Sequence, residues 1–455
     1  MDKIIIKQLD EKRFNALAAY IRSPAAAYMS RELAWFSNEE ETILGVLLWD
    51  TIDNDYASII LGLDESGRFK CIEVEASFTD EESAVKWIYN LLKWHTRNSS
   101  AIFPQGDKSK SLDLFTPIIP ADKQHAYFRQ LISDTAFFPA REIIKKMMPY
   151  YNDVDGNFVQ QFQSTGFDSR VWELCIYTYL KEEELFLNRD YGAPDFLVTK
   201  YAKTVAIEAV IVGRKSNNAV RHLRTMPVCK TPEELIAETE NAMPIRFGSP
   251  LFSKLQKKYW ELPHVIGNPL VFAIADFHDD QSMLWSSTAL MNYLYGYRDD
   301  FYYDYDGHLV IVPKKILVHK VGDKEIPSGF FFQPGSEHIS AVLFSASGTI
   351  SKFNRMGRQA GFKDSSIIMI REGTCYDHDP NAVIPKAFSY IVDENSNETW
   401  SEGFSMFHNP NAINPVSEEL FPSIGHHYFK DGFIKSNLPK FHPYASYTYN
   451  LRFKK

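Results

Sequence analysis

Gly192-Ala-Pro-Asp195-Phe-Leu-Val-Thr-Lys-Tyr-Ala-Lys-Thr-Val205-Ala-Ile-Glu208-Ala-Val210-Ile-Val212 decides the reading of this chain. Its β-branched and aromatic residues predict strands over 195–199 and 204–212, joined as a hairpin. Asp195 opens the first strand. Glu208 sits inside the second, between Ile207 and Ala209-Val-Ile-Val. A carboxylate in such a strand is costly to bury unless a cation or a metal ion stands beside it.

Working outward, the spacing of Trp172, Ile176, Tyr179 and Leu180 predicts a helix over 168–183, with Glu173 beside its apolar face. Residues 249–261 are expected as a second helix, with Leu251, Leu255, Tyr259 and Leu262 on one face. Residues 269–277 are expected as a third strand, and 286–297 as a further helix. Helices and strands that alternate in this way argue for an α/β unit with a central mixed sheet flanked by helices. Strand pairs at 301–312 and 315–320, and a strand at 339–344, are expected to extend the sheet.

The three acids, Glu173 from the helix and Asp195 and Glu208 from the strands, would form a cage of hard oxygens. Such a cage holds magnesium or manganese, with Asp195 and Glu208 as the direct ligands. A metal there activates water against a phosphodiester.

The rest of the chain divides around this segment. Residues 1–98 read as a small α+β unit: a helix at 11–21, strands at 43–49 and 56–61, a strand at 69–75 and a helix at 80–95. Residues 99–165 read as a polar linker and a helical connector that includes 141–150. Residues 166–350 form the mixed-sheet unit. Residues 351–455, rich in aromatics, Asn and Pro, read as an irregular extension packed on that core. Asp50, Asp53 and Asp55 read as turn-forming acids, and Asp306-Gly307 as a hairpin turn.

Composition narrows the classes. The chain has 45% hydrophobic residues and a formal net charge of −9, which suits globular cores and not a protein that coats nucleic acid. Local contact with nucleic acid stays open, since affinity follows local cation placement. From Ala209 to Thr231 there is no acid, whereas Arg214, Lys215, Arg221, Arg224 and Lys230 are basic. This stretch is either a nucleic-acid grip or a solvated face. Four scattered cysteines without CxxC argue against structural zinc. The N-terminus has no signal-like apolar region, and no apolar run nears the roughly 18 residues of a membrane span. A cytoplasmic protein is expected. GxGxxG, GxxxxGK[ST], GxSxG and HExxH are absent. His338, His408, His426 and His427 are expected to be structural.

Taken together, the helix Glu173, Pro194-Asp195 and Glu208-Ala-Val210 resemble the PD-(D/E)XK nuclease superfamily, over about residues 165–280. The resemblance implies a restriction-endonuclease-like mixed sheet flanked by helices, preceded here by the small α+β domain. It implies a magnesium ion (or manganese) on Asp195 and Glu208, and hydrolysis of nucleic acid, with DNA ahead of RNA. Ile339-Ser-Ala-Val-Leu and His408-Asn-Pro-Asn-Ala-Ile-Asn-Pro resemble segments downstream of such cores in bacterial proteins, and a role in bacterial defence would suit a nuclease-like core with extra domains. The sequence departs from the pattern at Val210, where the family carries a lysine that stabilises charge. Lys254 and Lys258 border the apolar face of the 249–261 helix and are candidates for a migrated lysine, against a reading as solvated side chains. The alternative is an inactive scaffold that binds nucleic acid or protein. Oligomeric state is left open.

Overall fold

The computed structural model describes residues 4–98, 102–104, 111–214 and 231–453. The N-terminal sheet follows from one strand. β3 (Ile43–Asp50) reads Ile-Leu-Gly-Val-Leu-Leu and is apolar on both faces, so it needs a cover on each side. It lies at the centre of an antiparallel sheet ordered β1 (Ile6–Leu9), β2 (Ser30–Asn38), β3, β4 (Asp55–Leu63), β5 (Phe69–Phe78). Phe14 and Leu17 of α1 (Glu11–Ala18) cover Leu44 and Val46. After the short α2 (Pro24–Met29), α3 (Glu81–Asn98) places Ile88 and Leu92 on Ile43 and Leu47. The strands expected near 43, 56 and 69 are present, and β1 and β2 complete the meander.

A helical layer follows: α4 (Ala126–Ser133), α5 (Phe138–Met147), α6 (Phe158–Gln163) and α7 (Phe167–Glu182). Every residue of α7 from Val171 to Leu180 is buried, so this helix is wrapped on all sides. The Trp172 indole donates to the Ala273 carbonyl at 2.9 Å and pins the helix to the sheet.

The main sheet has eight strands, ordered β19-β18-β17-β14-β9-β8-β7-β6 among the described residues. β6 (Phe186–Asn188), β7 (Phe196–Lys200) and β8 (Lys203–Val212) form an antiparallel meander. The chain then runs through α8 (Pro232–Ala237), a π-helical turn and α9 (Met243–Leu255) to β9 (Leu270–Asp276), which is parallel to β8. Along β8, Val205 and Ile207 face the α7 layer, whereas Ala206, Val210 and Val212 face α9 and α10 (Ser286–Tyr295). Burial on both faces explains its nearly continuous apolar sequence. The architecture is mixed α/β.

Several expectations are corrected. The second helix spans Met243–Leu255 and not 249–261. Past Gln256 the chain turns, and Lys258 takes a left-handed conformation with φ 52°. The helix expected over 286–297 ends at Tyr295, where Gly296 supplies the left-handed cap with φ 71°. β10 (Tyr297–Tyr303) with β11 (Leu309–Lys315), and β12 (Val318–Val321) with β13 (Lys324–Pro327), form two separate hairpins and do not extend the main sheet. β14 (Ala341–Ser345) does join it, at the centre and parallel to β9.

The region after 350 is regular and not irregular. It begins with α11 (Ile350–Gln359), whose Gly357 lies so close to α5 that a Cβ there would stand 2.2 Å from the Pro139 carbonyl oxygen. β15 (Ile367–Cys375), β16 (Lys386–Ile391) and β20 (Pro443–Arg452) make a three-stranded sheet. β17 (Phe404–His408), β18 (Gly425–Lys430) and β19 (Phe433–Asn437) complete the main one. Among the described residues no helix is long and apolar enough to cross a membrane.

Candidate active site

The hairpin register pairs Phe196 with Ile207, so Asp195 arrives beside Glu208 where the backbone ladder ends. Side chains then take over the pairing. The Asp195 carboxylate accepts from the Ala209 amide at 2.7 Å, and the Glu208 carboxylate accepts from the Asp195 amide at 3.2 Å. Glu208 is buried, at 4% exposure, and Asp195 is partly open. Burial, then the field of Glu208, then that of Glu173 push the Asp195 carboxyl up to about 7. Two carboxylates brought this close and partly dried resist joint ionisation unless a proton or a cation sits between them.

A cation reaches this pair from α9. Lys254, in its last turn, is ion-paired with Glu208 Oε1. The Tyr259 hydroxyl donates to the same oxygen at 2.8 Å, and burial raises the Tyr259 hydroxyl above its ordinary range. Lys258 lies elsewhere: it is exposed and paired with Glu261 at 3.3 Å. Of the two lysine candidates, the structure brings Lys254 alone to the acids, because the helix stops before Lys258. Val210 is buried in the apolar layer against α9.

Glu173 is closed off. Its Oε1 accepts from the Tyr151 hydroxyl and from Arg189 at 2.6 Å, and its Oε2 accepts from Arg170 at 2.6 Å. Burial alone would raise this carboxyl, but Arg189 and Arg170 outweigh burial and hold it below its usual range. Its field still reaches Asp195. Sequence reasoning missed Tyr151, Arg170 and Arg189. The Arg170–Glu173 spacing is a helical ion-pair signal that was readable.

The basic stretch is described only at its start. Arg214 donates to Asp168 at 3.1 Å and to Asp280 at 2.6 Å, with its guanidinium over the Tyr127 ring. Lys215, Arg221 and Arg224 lie outside the described residues. The four histidines are engaged. His338 stacks on Trp260, and His408 Nε2 lies 2.9 Å from His426 Nδ1. His427 Nδ1 meets the Ser436 hydroxyl at 2.7 Å. Among the described residues, one group of three His, Cys, Asp or Glu ligand atoms lies within 4.8 Å of one another: Asp304, Asp306 and His308 in the β10–β11 turn. Asp304 already accepts from the amides of Asp306 and His308, which is ordinary turn chemistry.

Asp195 and Glu208 are hard oxygen donors of the kind that suits a divalent ion, and the repulsion that lifts Asp195 is what such an ion would relieve. Comparison of the chain with models of known protein families, with curated proteins and with solved structures finds no match in any of the three.

Proposed function

We propose that this chain is a metal-dependent nuclease of the PD-(D/E)XK type, acting in the cytoplasm on the backbone of DNA ahead of RNA. The observation that carries the reading is the convergence of Asp195, Glu208 and Lys254. An acid at the head of one strand and an acid within the next share one site with a helix lysine. The order α7-β6-β7-β8-α9-β9, with β8 parallel to β9, supports a restriction-endonuclease-like core. Lys254 would do the work of the lysine that Val210 replaces.

Asp195 and Glu208 would hold magnesium or manganese, which when bound supplies a Lewis acid and an activated water. Lys254 would offset charge on the scissile phosphate. Tyr259 fixes the Glu208 carboxylate by its hydrogen bond. Glu173 would act through its field at Asp195, since both of its oxygens are occupied. Lys215, Arg221 and Arg224 would grip the phosphate backbone without reading sequence, and a place in bacterial defence would follow. The test is cleavage of plasmid, linear DNA and RNA by the purified chain with Mg²⁺ or Mn²⁺, with Asp195→Asn as control. Cleavage lost in the variant supports the reading, and equal cleavage by both removes it.

A second reading has its own observation. Lys254 and Tyr259 already satisfy Glu208, and Asp195 already caps the Ala209 amide. On that reading the acids are structural, and the scaffold binds nucleic acid or a protein partner without cutting. Calorimetry with Mn²⁺ separates the two, since a purely structural set binds no metal.

A further inference from the structure

The loop that delivers Asp195 to the acid pair also carries an aromatic ring. Residues 189–195 join β6 to β7, and Tyr191 stands just ahead of Asp195. Its ring lies almost flat on the imidazole of His264, with centroids 3.8 Å apart and planes 8° apart. His264 belongs to the segment that follows Tyr259, whose hydroxyl holds Glu208. His264 Nε2 donates to the Ala193 carbonyl at 2.8 Å. The stacked pair is thus tied to the backbone two residues before Asp195, within about 7 Å of chain.

One face of this pair is open. Tyr191 is 41% exposed although His264 covers one side of its ring. A Cβ added at the neighbouring Gly192 would meet nothing within 4 Å. A flat ring that is backed by a second ring and open on its other face is a surface on which an unpaired base stacks. Asp190 is exposed beside it, so attraction at this point comes from the ring and not from a cation.

The acids restrict what can reach them. Glu208 is buried at 4% exposure, with Tyr259 and Lys254 against it. The bases of a duplex are paired and stacked on one another, and none has a free face for an outside ring unless it is flipped out. A single strand has free bases, and its thinner backbone can enter a recessed pair of carboxylates.

We propose that the site takes single-stranded DNA, and that Tyr191, backed by His264, stacks a base beside the phosphate that meets Asp195 and Glu208. The inference rests on the nuclease reading for the fate of that phosphate. The choice of strand rests on the Tyr191–His264 pair.

The experiment is fluorescence anisotropy of the full chain in EDTA with a labelled single strand of about 12 nucleotides, the scale of one single-strand site, and with the same sequence as a duplex. A second strand carries 2-aminopurine, whose emission falls when it stacks on a ring. Without metal, binding is read apart from cleavage. The single strand should bind about tenfold tighter than the duplex, the scale of one stacked base, and should quench 2-aminopurine. Tyr191→Phe should keep both signals, since the ring remains. Tyr191→Leu, which still covers His264, should bind the single strand about tenfold more weakly and leave 2-aminopurine bright. Tyr28→Ala removes a ring of the same 41% exposure in the N-terminal unit and should bind as the parent does. No binding of the single strand, a preference for the duplex, parent-like affinity in Tyr191→Leu, or an equal loss in Tyr28→Ala would each overturn the proposal. Quenching of a strand that the chain leaves uncut in Mg²⁺ would uphold the base platform and count against cleavage alone. Cleavage that ignores Tyr191→Leu would uphold the nuclease reading and remove the platform.

Discussion

Lys254 reaches from the last turn of α9 to the Glu208 carboxylate on strand β8, two residues before the buried Val210. The same helix stops one residue later, at Leu255, and Lys258 faces solvent. Exchanging one lysine or the other therefore separates a role at the site from one at the surface. Lys254→Ala should lower Mg²⁺-dependent cleavage by about 100-fold or more, the scale of one lost electrostatic stabiliser, while Lys258→Ala should cleave as the parent does. Equal rates for the two variants in a fluorescent-oligonucleotide assay would refute the assignment.

The acids themselves give a second test. In Asp195→Asn the side-chain oxygen can still accept from the Ala209 amide, and in Glu208→Gln it can still accept from Tyr259. Both variants should fold with a melting temperature near that of the parent. Both should lose cleavage and Mn²⁺ binding, read by calorimetry on the same samples. Unaltered Mn²⁺ binding in both would move the metal elsewhere.

The pH dependence has a definite sign. The Asp195 carboxyl is raised to about 7 by burial and by Glu208, above the ordinary carboxylate range near 4. The folded chain thus holds this proton where the unfolded chain has released it. This group's contribution to stability is fully present below about pH 4 and is lost as pH rises through about 7. Metal binding needs the released form, so Mn²⁺ affinity should rise across the same window. Asp195→Asn should flatten the stability change between pH 5 and pH 8 in urea titrations. A Mn²⁺ affinity that is constant from pH 5 to pH 8 would contradict the picture.

Lys258 offers a backbone prediction that is independent of chemistry. A residue with a Cβ at φ 52° is strained, and a glycine there removes the clash at some cost in chain entropy. Lys258→Gly should stabilise the chain by up to about 1 kcal/mol, measured by urea denaturation, without a change in cleavage.

The readable part of this molecule was the part fixed by local pattern. The hairpin of 195–212 has two-sided apolar strands around two embedded acids, and strand spacing alone sets Asp195 against Glu208. Helix α7 was legible because its apolar residues recur at helical spacing. The extent of α9 was not. Tyr259 and Leu262 continue the apolar pattern past the point where the chain turns at Lys258, so periodicity overran the helix by six residues. The C-terminal strands escaped because β17 and β18 are short, β17 is buried along its whole length, and His426 of β18 pairs with His408 of β17, so neither strand follows an alternating pattern. The sealing of Glu173 depends on Tyr151 and Arg189, which come from segments on either side of α7. Only tertiary packing brings them together.

That sealing makes Glu173 the strongest stability prediction. The carboxylate is 3% exposed and balances two arginines that are themselves mostly buried. Arg189 is further held between the Tyr151 and Phe196 rings, at 4.3 and 4.9 Å. Removing the acid leaves two cations without a counter-charge in a dry setting, a loss of about 3–5 kcal/mol for a broken buried pair. Glu173→Ala should therefore shift the urea midpoint strongly. Glu173→Gln should cost less, since its amide oxygen still accepts one arginine bond. A direct metal ligand would behave in the opposite way: Glu173→Ala would keep its stability and lose metal affinity. Measuring the urea midpoint and Mn²⁺ binding on one preparation of each variant tells a strut from a ligand.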